Sequence, residues 1–234
     1  MSNAHPRAAQ RLLGMIRSPY ATLSSVVIRP RSLDLAVLVI VVATACSVGF
    51  LVTGVGRLAA LDQEVRQLES IGTVITEARY AELRHLLPYR PAISAAAIIV
   101  GWPLMWIATA FVVRIIGNRG ARQATFAQVL TVFVHASSVL ALRAIVATPI
   151  NYARESLGGA TSLGTLLPGL GDSTFLARLF GALDIFVVWW AVLIAIGLSI
   201  LYQTRTVPIA RWLLGAYATA AAALALTQAL RGGI

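Results

Sequence analysis

The chain has 234 residues, 58% of them hydrophobic and only 12% charged, with a mean hydropathy of +0.80. Too few polar groups remain to cover a water-soluble globule, so composition excludes a soluble domain and predicts a membrane protein. The formal net charge is +10 and the isoelectric point is near 11.2; in this class such a charge points to an anionic cytoplasmic leaflet and not to nucleic acid.

The stretch "RAAQRLLGMIR" predicts an interfacial amphipathic helix. At 100° per residue Arg7, Arg11 and Arg17 fall on one side, and Leu12, Leu13 and Ile16 on the other. With Arg29 and Arg31 these arginines are the expected contacts to the lipid surface. Ser18 and Pro19 read as a cap and first helical residue, opening a second short helix that runs through Ile28 to Pro30. Residues 1–32 form the expected cytoplasmic basic segment, and 33–234 the membrane domain. The apolar run after residue 32 is too long for the core of a cleaved signal and lacks a small-residue cleavage site, so it reads as a signal anchor.

Five segments reach the roughly 20 apolar residues that a bilayer demands. They lie near 33–56, 92–116, 126–150, 178–201 and 207–230. The expected fold class is all-α, a polytopic bundle of five transmembrane helices with the interfacial helix at its amino end. Between the first two spans, 57–90 reads as an external helical loop. Its Leu58, Leu61, Val65, Leu68, Gly72 and Ile75 follow 3 and 4 spacing, giving one apolar stripe. The stripe either packs back on the same molecule or meets a second copy or another protein. The "GVGRLA" match to a dinucleotide fingerprint ends a membrane span and has no strand before it, so it carries no nucleotide site. In span two Pro103 predicts a kink, and Trp102 and Trp106 stand one turn apart. The Gly, Ser and Thr-rich stretch "NYARESLGGATSLGTLLPGLGDSTF" before span four predicts a short, mobile, external loop.

Arginine density sets the expected orientation. The segments before span one, between spans two and three and between spans four and five, counted with Arg114 and Arg211 at the span ends beside them, hold ten arginines and no acid. The alternate segments, counted with Arg178 at the start of span four, hold eight arginines diluted by seven acids over longer loops. The positive-inside rule then puts the amino terminus in the cytoplasm and the carboxyl terminus outside. All 19 basic residues are arginine, which together with the richness in alanine points to a GC-rich bacterial genome and a plasma membrane location. The single cysteine, Cys46, supports no disulfide framework.

Ionisable residues within spans are the candidate functional groups. An acid near the bilayer centre costs roughly 2.5–3.5 kcal/mol, and each Leu, Ile, Phe or Val returns about 0.3–0.6, so the apolar run around Asp184 tolerates it. At the helical rise Asp184 lies roughly 13 Å, and Arg143 roughly 10 Å, below the outer ends of two antiparallel spans. Either the two face each other inside the bundle, or Arg143 snorkels to the headgroups and Asp184 is protonated. His135 sits deeper, one stripe from Gln128; a proton relay through His135, Arg143 and Asp184 is one reading, and helix-to-helix hydrogen bonding is the other. Trp102, Trp106, Trp189 and Trp190 fall near the midplane, away from the usual interfacial belt, and are expected to pack between helices as an aromatic core, with a lined cavity as the alternative. His5, His85 and His135 are far apart, and no paired Cys or His spacing, serine elbow or Walker loop appears. Neither metal, cofactor nor catalysis is expected.

Span four with its flanks, "LARLFGALDIFVVWWAVLIAIGLSILYQTRT", the entry stretch "RLLGMIRSPYATLSSVVIRPR" and "FAQVLTVFVHASSVLAL" in span three resemble the Yip family. That family is named for interaction with Ypt/Rab GTPases in eukaryotes, and its five-span domain also occurs in bacteria. The resemblance implies five spans and a cytosolic amino terminus; eukaryotic relatives act in trafficking and organelle shaping through protein partners. This chain lacks their long cytosolic amino-terminal region, which argues against GTPase contact. The expected function is that of a non-catalytic membrane organiser or partner-binding scaffold in a bacterial inner membrane. The alternative is a small transporter or channel subunit using Asp184, Arg143 and His135.

Overall fold

The computed structural model describes residues 8–70, 72–120, 122–166 and 175–231. Among them the fold is all-α, with thirteen α-helices, one 3-10 turn, one π-helical turn and a single isolated bridge in place of any strand. Five helical segments are long and apolar enough to cross a bilayer: Leu33–Leu51, Glu77–Gly117, Phe126–Ala153, Ile185–Tyr202 and Thr206–Leu230. The chain is a multi-pass membrane protein.

The amino-terminal helices are α1 (Ala8–Arg17) and α2 (Pro19–Ile28), the second with proline in its first turn as expected. Span one is α3 (Leu33–Leu51), which stops short of residue 56 because Thr53 turns the chain. Its hydroxyl donates to the Phe50 carbonyl at 2.7 Å and accepts from Gly56 N at 2.9 Å, opening α4 (Gly54–Ser70). The helix expected over 57–90 is broken: Gly72 takes the left-handed region at φ +83°, and Thr76 caps α5 (Glu77–His85) by accepting from Arg79 N. A 3-10 turn leads to α6 (Arg90–Ala96), and a π-helical turn over Ala97–Gly101 precedes α7 (Trp102–Gly117). The irregularity expected from Pro103 thus takes the form of a wide turn just before it, since proline has no N–H to give to the preceding turn.

Span three is two helices, α8 (Phe126–Ala136) and α9 (Ser138–Ala153), meeting at Ser137. A capping box of Thr125 and Gln128 starts α8. The short α10 (Leu163–Leu166) and α11 (Phe175–Ala182) follow, then α12 (Ile185–Tyr202) and α13 (Thr206–Arg231). Span four is therefore interrupted between Ala182 and Ile185, where the sequence predicts one continuous helix from 178.

The chain divides into two compact units. One gathers the described residues of Met1–Ala43, Ile98–Leu142 and Val188–Leu214; the other gathers those of Thr44–Ala97, Arg143–Val187 and Gly215–Ile234. In the first, α8 is the centre, with Val129, Thr131 and every residue from Val132 to Ala136 buried. Helices α7, α1 and α2 pack around it. Gln128 Nε2 reaches the Val27 carbonyl at the end of α2, 3.2 Å away. In the second unit the end of α3 folds against the start of α4, where Phe50, Leu51, Ala59 and Ala60 form a cluster joined by Val55 and Leu157. Leu61 of the expected stripe is also buried there, whereas Leu58 is 58% exposed. Glu64 of α4 pairs with Arg90 at the start of α6, and Ser47 of α3 meets Ser94 of α6 at 2.7 Å.

Small residues allow the close approach of α12 to α8. A Cβ on Gly197 would press into the side chain of Val132. Gly197→Ala is expected to lower stability by about 1–3 kcal/mol through overpacking. Gly215→Ala on α13, which meets open space, should raise it by about 0.5–1 kcal/mol through helix propensity alone. Thermal melts in detergent followed by circular dichroism compare the two; stabilisation at both positions would show that α12 does not rest on α8.

Candidate functional site

Asp184 stands at the start of a helix and not in the middle of one. Helix α11 ends at Ala182, and Leu183 and Asp184 leave helical geometry before α12 begins. The backbone groups freed by the break need partners, because hydrocarbon supplies none. The loop before α10 provides them: Leu163 N donates to Leu183 O at 2.8 Å, and Ile185 N to Thr161 O at 3.1 Å. These bonds flank the isolated antiparallel bridge between Ser162 and Asp184. A left-handed Gly159, φ +77°, turns the loop, and its carbonyl accepts from the hydroxyls of Ser162 and Thr165.

The carboxylate then closes the site. Oδ1 accepts from Phe186 N at 2.8 Å, the bond of an N-cap residue to the second residue of its helix. Oδ2 accepts from Arg143 Nε on α9 and from Thr161 Oγ1, both at 2.6 Å. The Asp184 N–H donates to the Tyr217 phenol of α13 at 2.8 Å, and that phenol donates to the Ala182 carbonyl at 3.0 Å, the last residue of α11. The negative charge sits at the positive end of the α12 dipole as well as beside a guanidinium. The Asp184 side chain is 13% exposed and that of Arg143 43%. Three segments are fastened to one carboxyl group, namely α9, the 156–162 loop and the head of α12, and α13 joins them through the Asp184 backbone N–H.

Of the two arrangements open for Arg143 and Asp184, the structure therefore forms the pair. It corrects one expectation nearby. The Gly, Ser and Thr-rich loop holds a buried core of Ala160, Thr161 and Ser162, where a mobile external connection is expected, because its polar side chains satisfy the broken helix. Thr161 and Tyr217 go unnoticed in the sequence; the usable signal is an acid directly before a long apolar run, which marks a helix start.

The tryptophans belong to the other unit. Ser137, between α8 and α9, donates its hydroxyl to the Phe133 carbonyl at 2.9 Å. Its oxygen accepts from Trp106 Nε1 at 2.9 Å and from Trp190 Nε1 at 3.3 Å. Trp102 packs edge-on against Trp106, with ring centres 6.1 Å apart at 67°. Trp106 is fully buried, and Trp102, Trp189 and Trp190 are half-buried. Buried indoles need an acceptor for their N–H, and a single serine oxygen serves two. Ser137 is a second residue that the sequence does not announce.

His135, in this same unit, is completely buried, and its Nδ1–H donates to the Thr131 carbonyl one turn earlier at 2.9 Å. Its Nε2 and the Thr131 hydroxyl are buried without a partner among the described residues.

The amphipathic helix is rotated from its expected setting. Arg11 is only 6% exposed: it pairs with Asp34 at the start of α3 and donates from Nη1 to the Arg31 carbonyl at 2.9 Å. Met15, one turn on, is buried with it, while Leu13 and Ile16 are 49% and 40% exposed. Arg11 is thus an internal tether and not a lipid contact, because Asp34 offers a fixed counter-charge in reach of its side. Arg17, Arg29 and Arg31 are exposed, and Arg7 lies outside the described residues.

No family model, curated protein or solved structure matches this chain.

Proposed function

We propose that this chain is a bacterial inner-membrane protein of the Yip family, with its amino terminus in the cytoplasm and its carboxyl terminus outside, and that it organises lipids or partner proteins without catalysis. The observation that carries this reading is the full engagement of Asp184. Its two oxygens take three donors, all spent on holding a helix break closed. A carboxylate that relays protons or binds a cargo needs a free face, and a carboxylate that fastens helices does not. The exposed Arg17, Arg29 and Arg31 supply contacts for an anionic cytoplasmic leaflet, and 57–90 supplies a surface for a partner or a second copy. The family assignment rests on the stretches quoted above.

A second reading, a small transporter or channel subunit, is favoured by one feature: interrupted membrane helices with polar caps frequently frame substrate sites, and Arg143 stays 43% exposed beside one. Single cysteines in a Cys46→Ser background separate the two. At Ala160→Cys and Ala182→Cys a charged, membrane-impermeant thiol reagent should react negligibly if the site is a closed fastening; rapid modification at both would establish a water path and overturn the scaffold. In intact cells the same reagent should modify Thr73→Cys and spare Arg119→Cys, and the reverse pattern would overturn the orientation.

A further inference from the structure

An open polar cleft of about 500 Å³ lies on the second unit, lined by one face of α4 together with the loop before α10, α11 and α13. Gln63, Arg66, Gln67 and Ser70 recur at i, i+3, i+4 and i+7, the spacing of a single helical face. Ser156 and Gly158 of the loop before α10, Arg178 of α11 and Gln228 of α13 complete the lining, and among the described residues no carboxylate belongs to it. The acids of α4 are elsewhere: Asp62, Glu64 and Glu69 are not among the lining residues, and Glu64 is held by Arg90. Neither Arg66 nor Arg178 takes part in the four ion pairs among the described residues. Gln63 Oε1 is buried with no hydrogen-bond partner among the described residues.

Two cations sharing a cleft with amides and hydroxyls, with no acid among the described lining residues to balance them, form a cradle for an oxyanion. Guanidinium forks match the geometry of phosphate oxygens, and each bond is charge-assisted. The volume lies in the range of roughly 300–1,000 Å³ typical of small-molecule sites. A bare ion would leave most of it empty, so the anion carries an organic group. The amides and Ser70 suit the hydroxyls of such a group, Gln63 by presenting either its oxygen or, after a half turn, its N–H.

We propose that this cleft binds a phosphate ester. The phosphate is the shared chemistry of two sources, a phospholipid headgroup and a soluble sugar or polyol phosphate. The proposal stands independently of the family and scaffold reading, since it needs only the α4, α11 and α13 lining.

The test uses the full-length chain in an uncharged detergent, titrated calorimetrically with glycerol 3-phosphate and with dihexanoyl phosphatidylglycerol. At least one should bind, with affinity falling as salt rises. Arg66→Gln and Arg178→Gln should each weaken binding roughly tenfold or more, while Arg84→Gln, the same charge loss on α5 away from the cleft, should leave it unchanged. Binding of the lipid alone identifies a headgroup site; equal binding of glycerol 3-phosphate identifies a soluble ester. If a glutamine variant fails to stay monodisperse, Arg178→Lys replaces it: the charge survives, the two-pronged geometry is lost, and binding should still weaken severalfold. Failure of the wild-type chain to bind either probe at millimolar concentration, or binding indifferent to all the cleft substitutions, overturns the proposal.

Discussion

Replacing Asp184 with alanine should destabilise the protein by about 2–4 kcal/mol, from a lost helix cap and lost charge-assisted hydrogen bonds. Three losses add on one side chain: the cap bond to Phe186 N, the bond from Thr161 and the partner of Arg143. The cap by itself is worth about 1 kcal/mol. Arg143→Gln should cost about 1–2 kcal/mol: it strands a carboxylate that is only 13% exposed, but Thr161 and Phe186 N still hold that charge, and the guanidinium removed was 43% exposed and screened. The double variant should therefore be more stable than the sum of the single effects requires, since it leaves neither charge stranded. Asp184→Asn should fall between wild type and alanine, keeping an oxygen for Phe186 N while giving up the charge. Unfolding in detergent across this cycle measures the coupling. Additivity within about 0.5 kcal/mol would mean that the pair contributes nothing beyond its separate members.

The second large effect belongs to Ser137. Ser137→Ala leaves two indole N–H groups without their acceptor, and Trp106 is only 2% exposed. An orphaned buried donor costs about 1–3 kcal/mol, while hydrogen bonds between membrane helices average nearer 0.6. Trp106 should bear most of a total of about 2–3 kcal/mol, because the half-buried Trp190 has more freedom to find another partner. Ser137→Thr keeps the hydroxyl and should retain most of the stability. The near-ultraviolet circular dichroism should weaken in the alanine variant and hold in the threonine one. Unchanged tryptophan signals in the alanine variant would show that the two rings do not share this oxygen.

Hydropathy and length make all five membrane segments legible, because their signal is a run of apolar residues that needs no tertiary information. The partnership of Arg143 and Asp184 is legible as well, from matched depth in antiparallel spans. What escapes is the interruption that places Asp184 at a helix start. The apolar run continues on both sides of it, from Phe175 to Ala182 and from Ile185 onward, so hydropathy alone sees one segment. The break is decided by residues far along the chain: Thr161 in a loop whose composition reads as linker, and Tyr217 in the next span. Arg11 escapes for a similar reason. Helical periodicity assigns it to the polar side, but which side faces the protein depends on Asp34, 23 residues later. Ser137 carries no signal at all in isolation; its role exists only once Trp106 and Trp190 converge on it.

The interruption at Asp184 leaves the last two spans unequal. Helix α12 has 18 residues and α13 has 26, about 27 Å and about 39 Å along their axes. A hydrocarbon layer averages about 30 Å, so the shorter rod falls just below it and the longer one must lean. A protein built this way meets hydrophobic mismatch in both directions: a thinner membrane relieves α12 and makes α13 lean further, and a thicker one does the reverse.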